Sequence, residues 1–361
     1  MGKKLFDYVI GNPPYQKESS DSVSKSNGQK PMTNIFQYFQ NAADALTEDT
    51  SVLVYPGGRW IHQSGKGMQS FGKDQINDKS LSVVEFYPDA SELFGDAASL
   101  SDGITIVTKN HKKKTDGFTY VYSKNGERFS VHADNPGDNL MPLDPHDLPI
   151  EQKINAGMKK LGLSFLHETI LPRSLFPIES DFVEKNPSKV RRYSGSDKDI
   201  DFATEIKLFT NDRAGKAGRA TWFVTNRDVI TRNAEYIAQW QVVVSSANAG
   251  GQKRDNQLEI IDNHSAFGRS RLALRSFGTY EEAKNFYDYV SSYFIRYAFL
   301  LTDEALTSLG KEVPDLQKYT DENPLIDFEK NIDVQLCRMF NISDDEFAYM
   351  RNRVTSLRGE A

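Results

Sequence analysis

The stretch FDYVIGNPPYQ, residues 6–16, sets an apolar run directly before two prolines and an aromatic residue. Residues 5–10 are mostly apolar and rich in residues that favour strands, so they predict a buried β-strand. Pro13 and Pro14 fix the backbone angle φ and carry no N–H, which makes the loop after the strand stiff. Ligands of open α/β sheets bind at the carboxyl ends of strands, so this loop is a candidate site.

Three groups of this loop suit a planar ligand that bears an amino group. Asn12 offers a side-chain carbonyl oxygen, and the backbone carbonyl of Pro13 lies before a second proline, where no helix can engage it. Tyr15 adds a flat ring beside these two acceptors. The pattern therefore indicates a site for an aromatic ring with an NH2 substituent, and the alternative for so short a motif is a plain Pro-Pro turn.

NPPY after an apolar strand resembles the catalytic motif of the amino methyltransferases, above all the gamma-type DNA adenine-N6 methyltransferases of type II restriction–modification systems. The resemblance implies a catalytic loop of Asn12, Pro13, Pro14 and Tyr15, in which Asn12 and the Pro13 carbonyl accept hydrogen bonds from the target amine. Tyr15 would stack on a base extruded from the duplex. An aromatic residue near Phe94 would hold the other face of that base, and the alternative for Phe94 is core packing.

The residues after the motif predict an α/β fold. A helix with one apolar face is expected within residues 33–46, and that face comprises Ile35, Phe39, Ala42, Ala43 and Leu46. Strands are expected in SVLVYP (51–56), LSVVEFYPD (81–89), GITIV (103–107) and FTYVYS (118–123). The resemblance implies that residues 1–148 are the catalytic half of a methyltransferase domain, with a partial Rossmann-like sheet.

Composition narrows the class of protein. With 361 residues, 38% hydrophobic and 26% charged, the chain is expected to be soluble, globular and divided into two or three domains. It contains no apolar run that would cross a membrane and no signal-peptide pattern, which favours a cytoplasmic location. Cys337 is the single cysteine, which excludes an intramolecular disulfide and a cysteine-rich zinc site. The six histidines are scattered, so no metal site is predicted.

The second half of the chain is expected to recognise DNA. A linker helix is predicted over residues 149–164, followed by an α+β target-recognition domain over residues 165–361. The net charge of −6 argues mildly against a simple nucleic-acid binder. Basic residues nevertheless cluster in loops rich in Gly, Ser and Asn, as phosphate contacts require. The candidate contacts to double-stranded DNA are Arg191, Arg192, Arg213, Lys216, Arg219, Lys253, Arg254, Arg269 and Arg271.

The cofactor half of a methyltransferase is not evident in the sequence. In the resembled family a glycine-rich loop that binds S-adenosylmethionine precedes NPPY, whereas here ten residues precede Gly11. Neither NAGGQ (248–252) nor SFGTYEEA (276–283) matches that loop. We therefore expect a fragment or one of two parts, with the cofactor site on a missing N-terminal half or a partner subunit. Alone, the chain is expected to bind S-adenosylmethionine weakly or not at all.

Other functions stay open at this point. The chain could be a catalytically inactive DNA-specificity module, or a methyltransferase that acts on an RNA base or a protein glutamine. The basic loops of the second half favour DNA over protein glutamine. A nuclease site is disfavoured because TEIK supplies Glu205 and Lys207 without a Pro-Asp pair suitably upstream.

Overall fold

The structure is a computed structural model that describes residues 4–18, 32–63, 67–95, 100, 102–215, 217–302 and 306–356. The chain divides into two compact units, unit 1 (Met1–Pro149) and unit 2 (Ile150–Ala361). None of the helices in the described ranges has the length and apolar character that a membrane span requires.

Unit 1 combines a mixed sheet with short helices. Its strands within the described residues are β1 (Phe6–Gly11), β2 (Gln16–Glu18), β3 (Met32–Asn34), β4 (Thr47–Pro56), β5 (Leu81–Tyr87), β6 (Ile104–Asn110), β7 (Phe118–Lys124) and β8 (Glu127–Ala133). Its helices are α1 (Phe36–Leu46), α2 (Met68–Ile76) and α3 (Ser91–Phe94), and a short 3-10 turn covers Pro145–Asp147.

The main sheet of unit 1 has six strands in the order β1-β4-β6-β5-β7-β8. The pairs β1–β4 and β5–β7 are parallel, whereas β6 runs antiparallel to both of its neighbours. The strands β7 and β8 form a hairpin at the edge of the sheet opposite β1. The predicted α/β class is confirmed, and the carboxyl end of β1 leads into the NPPY loop.

The expectation that the first strand is buried is wrong. Alternate side chains of β1 point to one face, and there Phe6, Tyr8 and Ile10 are 52%, 65% and 80% exposed. Within the described residues β1 pairs with β4 alone, so it is an edge strand. An apolar run shows that a strand favours burial, but the run does not show that a neighbour is present to bury it.

The helix after the NPPY loop forms, but its buried face differs from the predicted one. The face of α1 that is buried carries Phe36, Gln40 and Ala43, whereas Phe39 is exposed. Gln40 lies on this face because its side chain accepts a hydrogen bond from the hydroxyl of Tyr55 and donates one to Asp44. A prediction of the buried face from apolar residues alone misses a polar residue whose hydrogen-bond partners are buried.

Unit 2 is an α+β assembly. Its strands are β9 (Ser164–Phe165), β10 (Val190–Arg192), β11 (Glu205–Asn211), β12 (Ala220–Asn226), β13 (Trp240–Ser245), β14 (Glu259–Ile261), β15 (Ser265–Phe267), β16 (Arg271–Phe277) and β17 (Pro314–Asp315). Its helices are α4 (Leu148–Leu161), which begins at the boundary, α5 (Phe182–Lys185), α6 (Tyr280–Ser291), α7 (Tyr293–Leu300), α8 (Ile332–Met339) and α9 (Asp344–Ser356). Short 3-10 turns cover Leu166–Glu168, Pro187–Lys189, Asp197–Asp199, Arg227–Val229 and Ala234–Ala238.

Three sheets and two hydrophobic cores organise the described part of unit 2. The sheets have the strand orders β10-β12-β11-β15, β14-β13-β16 and β17-β9. The helix expected as a linker, α4, contributes Ile150, Ile154 and Met158 to the core that α6, α7, α8 and α9 share. Thr279 caps the start of α6, because the N–H of Glu282 donates to Thr279 Oγ1 at 3.3 Å and that hydroxyl donates to Glu282 Oε2 at 2.9 Å.

Candidate functional site

The NPPY loop leaves the end of β1 and is anchored at the start of α1. Pro13 is buried and Tyr15 half-buried, whereas Asn12 and Pro14 are exposed. The backbone carbonyl of Tyr15 accepts a hydrogen bond of 2.9 Å from the N–H of Ile35. The loop is therefore held at both ends while the Asn12 side chain stays accessible to a ligand.

Asn12 and Tyr15 interact directly. Burial raises the pKa of the Tyr15 phenol, and the hydrogen bond with the Asn12 side chain opposes this rise without cancelling it. Tyr15 thus remains neutral at physiological pH. A neutral ring beside an amide gives the combination of a flat apolar face and a polar group that an aminated heterocycle requires.

A cavity of about 670 Å³ lies beside Tyr15 in unit 1. Its walls include Tyr15, Phe36, Trp60, Arg59 and Asp102. Among the described residues, Asn12 and Phe94 do not line it. Phe94 ends α3 and is 36% exposed, so its expected base-stacking role remains a prediction.

The inner wall of this cavity is an aromatic cluster. The ring centroids of Phe36 and Tyr55 are 4.9 Å apart, and those of Tyr55 and Trp60 are 5.5 Å apart. Trp60 is fully buried, and its indole N–H donates to Thr105 Oγ1 at 2.9 Å. Packing on all sides together with a satisfied N–H makes this wall rigid.

One edge of the cavity is a charged pair that the sequence analysis does not identify. The guanidinium of Arg59 lies 3.0 Å from Asp102 Oδ2. The two residues are far apart in the sequence, and no spacing pattern connects them. The signal that could have found the pair is a glycine close to each member, Gly57 two residues before Arg59 and Gly103 directly after Asp102, because glycines often mark a close approach of two backbones.

In unit 2 the structure brings two of the predicted basic clusters together. Arg213 and Arg219 lie on the turn between β11 and β12, and Arg192 lies on β10 beside β12. The hydrogen bond from the Arg219 backbone N–H lowers the pKa of Asp212, and the nearby charges of Arg213 and Arg192 lower it further. Asp212 thus lies near the charges of Arg192 and Arg213 and is bonded to the backbone of Arg219. The name arginine turn is used below for Arg192, Arg213 and Arg219.

Among the other candidate DNA contacts, two are paired with groups of the protein, two are exposed and one lies outside the described residues. Arg191 bonds to the Asp199 carbonyl and to Glu205, and Arg269 pairs with Glu179 at 2.8 Å. Lys253 and Arg254 are exposed, and Lys216 lies outside the described residues.

Arg271 is the candidate whose placement argues against a phosphate contact. Its residue is only 5% exposed, and its guanidinium lies 4.8 Å from the ring centroid of Phe209. Its Nη1 donates to Gln257 Oε1 at 2.8 Å. The cluster GRSRLALR is basic in sequence, but Arg271 begins β16, and its side chain is turned into the protein.

The TEIK segment has a structural role in the described part of unit 2. Lys207 is nearly buried and pairs with Asp262 at 2.5 Å and Asp197 at 3.2 Å. Its ammonium also lies 5.5 Å from the ring centroid of Tyr193. Within the described ranges, no group of three or more His, Cys, Asp or Glu side chains could hold a metal ion.

Comparison with known proteins identifies the segment that carries the NPPY loop and most of the cavity lining. Residues 1–94 match the family model described as Eco57I restriction-modification methylase. The suspected methylase resemblance is confirmed over this segment. The match includes the NPPY loop, α1, β4, β5 and α3, so the methylase segment contains Tyr15 and Arg59. No curated protein matches the chain.

Several solved restriction–modification structures resemble the chain at low identity. The type I restriction-modification system methyltransferase subunit from Streptococcus thermophilus is 16% identical over 37% of this chain and 30% of its own, with a TM-score of 0.25. The type IIG restriction endonuclease BpuSI is 11% identical over 98% of this chain and 54% of its own, with a TM-score of 0.34. The type IIL enzyme MmeI, in complex with DNA, is 9% identical over 98% and 54%, with a TM-score of 0.39. The chain thus spans about a third to about half of the length of these proteins.

Proposed function

We propose that the chain takes part in site-specific adenine-N6 methylation of DNA within a restriction–modification system. The observation that carries this proposal is the NPPY loop in the methylase segment, with Asn12 bonded to Tyr15 and Tyr15 lining a cavity. The cavity volume is that of sites for small ligands, about 300 to 1,000 Å³, and an extruded base with its sugar falls in this class.

The residues of the loop have distinct parts in the proposed reaction. S-adenosylmethionine supplies the methyl group when it is bound. The Asn12 carbonyl oxygen and the Pro13 carbonyl accept hydrogen bonds from the amino group of adenine, and these bonds draw the nitrogen lone pair out of conjugation with the ring. Positioned acceptors of this kind act most strongly where charge develops during the reaction. Tyr15 stacks on the base and stays neutral because burial raises its pKa.

The turn after β4 does not fit a cofactor site of the family's glycine-rich type. It contains Gly57 and Gly58, and both are packed against protein. A Cβ on Gly58 would lie 2.2 Å from Leu143 Cδ2, and one on Gly57 would lie 2.9 Å from Asp102 Cβ. These glycines allow close packing within the protein and leave no space for a ligand to contact the backbone of the turn.

We infer that another polypeptide segment supplies the cofactor site and covers β1. The exposed face of β1 presents Phe6, Tyr8 and Ile10, and an edge strand with an apolar face favours pairing with a further strand. This segment is either an N-terminal half of the same protein or a partner subunit. The isolated chain should then show no low-micromolar affinity for S-adenosylmethionine in a calorimetric titration, and such an affinity would contradict the inference.

The substrate surface is proposed to lie on unit 2. The arginine turn offers three exposed guanidinium groups, and arginine forks match phosphate oxygens. A second candidate function is an inactive DNA-specificity module, which the absence of a cradle in the described turn after β4 favours. Site-specific DNA binding without methyl transfer, even with the cofactor-bearing segment present, would support that second candidate.

The proposal is tested by Asn12→Ala in the assembly of this chain with its cofactor-bearing segment. Loss of one positioned acceptor should lower the methylation rate by about 10²- to 10³-fold, a typical effect for such groups. DNA affinity should change little, because the base is the one part of the DNA that the proposed Asn12 contact reaches, and the phosphate contacts proposed for unit 2 are kept. Asn41→Ala, at an exposed position of α1, is the matched control and should keep full activity. Equal activity of both variants would overturn the proposed role of Asn12.

A further inference from the structure

The loop Pro56–Trp60 is packed so closely that its backbone has little freedom. Gly57 has a φ of +65°, and its N–H donates to the Gly103 carbonyl at 2.8 Å. A side chain on Gly57 would collide with Asp102, and one on Gly58 would collide with Leu143. The loop therefore lies directly on its neighbours with no room for larger residues.

The far end of the same loop is held with equal tightness. Trp60 is fully buried and bonded to Thr105, and a Cβ on Gly72 would lie 2.0 Å from the Trp60 carbonyl oxygen. Arg59 stands between these two fixed points. Its backbone is constrained while its side chain is 59% exposed and lines the cavity.

The ion pair of Arg59 does not explain this construction. Exposed ion pairs contribute little to stability, and Asp102 is itself 46% exposed. What the pair does is hold the guanidinium at the edge of the cavity whose wall includes Tyr15. A rigid loop that presents a cation to a cavity has the form of an anion-binding element.

We propose that Arg59 binds a phosphate that flanks the extruded nucleotide, an inference that rests on the proposed function. A base that stacks on Tyr15 carries its sugar and two phosphates with it, and one must lie near the edge of the cavity. Arginine presents a planar fork that matches two phosphate oxygens. The phosphate competes with Asp102 for this fork, so the carboxylate holds the side chain in place until the nucleotide enters.

The inference is tested with nucleosides and the intact 361-residue chain. Ligand-observed NMR titrations compare deoxyadenosine with deoxyadenosine 3′,5′-bisphosphate, which carries both flanking phosphates. The wild type should bind the bisphosphate about fivefold to tenfold more tightly, because the interaction is charge-assisted but partly screened by solvent. Arg59→Met should remove this preference and leave the affinity for deoxyadenosine unchanged.

Arg128→Met is the matched control. Arg128 is 60% exposed and pairs with Glu85 at 3.1 Å, so it resembles Arg59 in exposure and pairing, but it is not among the residues that line the cavity. This variant should keep the preference for the bisphosphate. Thermal unfolding of both variants should show that each remains folded.

Three results would overturn the inference. They are equal affinity of the wild type for the two ligands, equal effects of Arg59→Met and Arg128→Met, and no binding of either ligand. The proposed function has its own readout in the same titrations, since Tyr15→Ala should weaken the binding of deoxyadenosine. If Tyr15→Ala does not change the affinity for deoxyadenosine, the proposed base site is contradicted. The effect of Arg59→Met on the preference for the bisphosphate tests the role of Arg59 separately.

Discussion

Lys109 holds a fully buried charge on β6. Its ammonium lies 2.9 Å from Asp44 Oδ2 and 2.7 Å from Asp78 Oδ2, and its side chain has no solvent exposure. Burial raises the pKa of Asp78, but the hydrogen bonds from Lys109 and the Ser80 backbone outweigh burial and lower it. The lysine joins α1 and the segment before β5 to the centre of the sheet, and α1 in turn supplies Phe36 to the cavity.

Removal of this charge should destabilise unit 1 strongly. Lys109→Met leaves Asp44 and Asp78 as partly buried carboxylates without their cation, a change that typically costs about 3 to 5 kcal/mol. The matched control is Lys79→Met, whose pair with Asp116 at 2.8 Å is exposed, so its loss should have little effect on the free energy of unfolding. Urea denaturation measures both free energies of unfolding. Similar values for the two variants would contradict the assigned role of Lys109.

The arginine turn is the element through which unit 2 is proposed to bind phosphate. Arg213→Gln combined with Arg219→Gln should lower the slope of log affinity against log salt by about one for each phosphate that the variant no longer neutralises. Arg173→Gln, at an exposed arginine outside the predicted clusters, is the control and should leave the slope unchanged. Fluorescence anisotropy with duplex DNA at several salt concentrations gives the slopes. An unchanged slope in the double variant would exclude this element from the interface.

Local sequence pattern predicts which helices and strands form better than it predicts where their side chains lie in the folded protein. The sequence of β1 correctly predicts a strand followed by a loop, because both depend on neighbouring residues. Whether Tyr8 and Ile10 are buried depends on a strand that the pattern does not contain. The Arg59–Asp102 pair likewise requires two distant loops to meet, and basic clusters such as that of Arg271 do not reveal which side chains turn inward.

Four buried tyrosines should make the stability of the folded protein fall at alkaline pH. Burial raises the pKa of Tyr55 and Tyr120 in unit 1, and of Tyr289 and Tyr319 in unit 2, well above 10.0. Each phenol is neutral in the folded state and ionises near pH 10 once unfolded. The stability they contribute should be complete below about pH 10 and fall as the pH rises above it.

This dependence is measured by urea unfolding at about pH 9 and about pH 11, on either side of the tyrosine pKa in the unfolded chain, with tyrosinate absorbance followed in parallel. The free energy of unfolding should be lower at the higher pH, and the buried tyrosines should ionise together with unfolding. Ionisation of all tyrosines near the ordinary pKa without unfolding would contradict the described cores.

Nucleoside mass spectrometry tests whether this chain directs methylation of the adenine amino group, as proposed above. The chain is expressed with its cofactor-bearing segment in a host whose DNA lacks adenine methylation, and the DNA is digested to nucleosides. N6-methyladenine should be present with the wild type and disappear with Asn12→Ala. Methylcytosine in place of N6-methyladenine, or N6-methyladenine at the same level in Asn12→Ala, would contradict it.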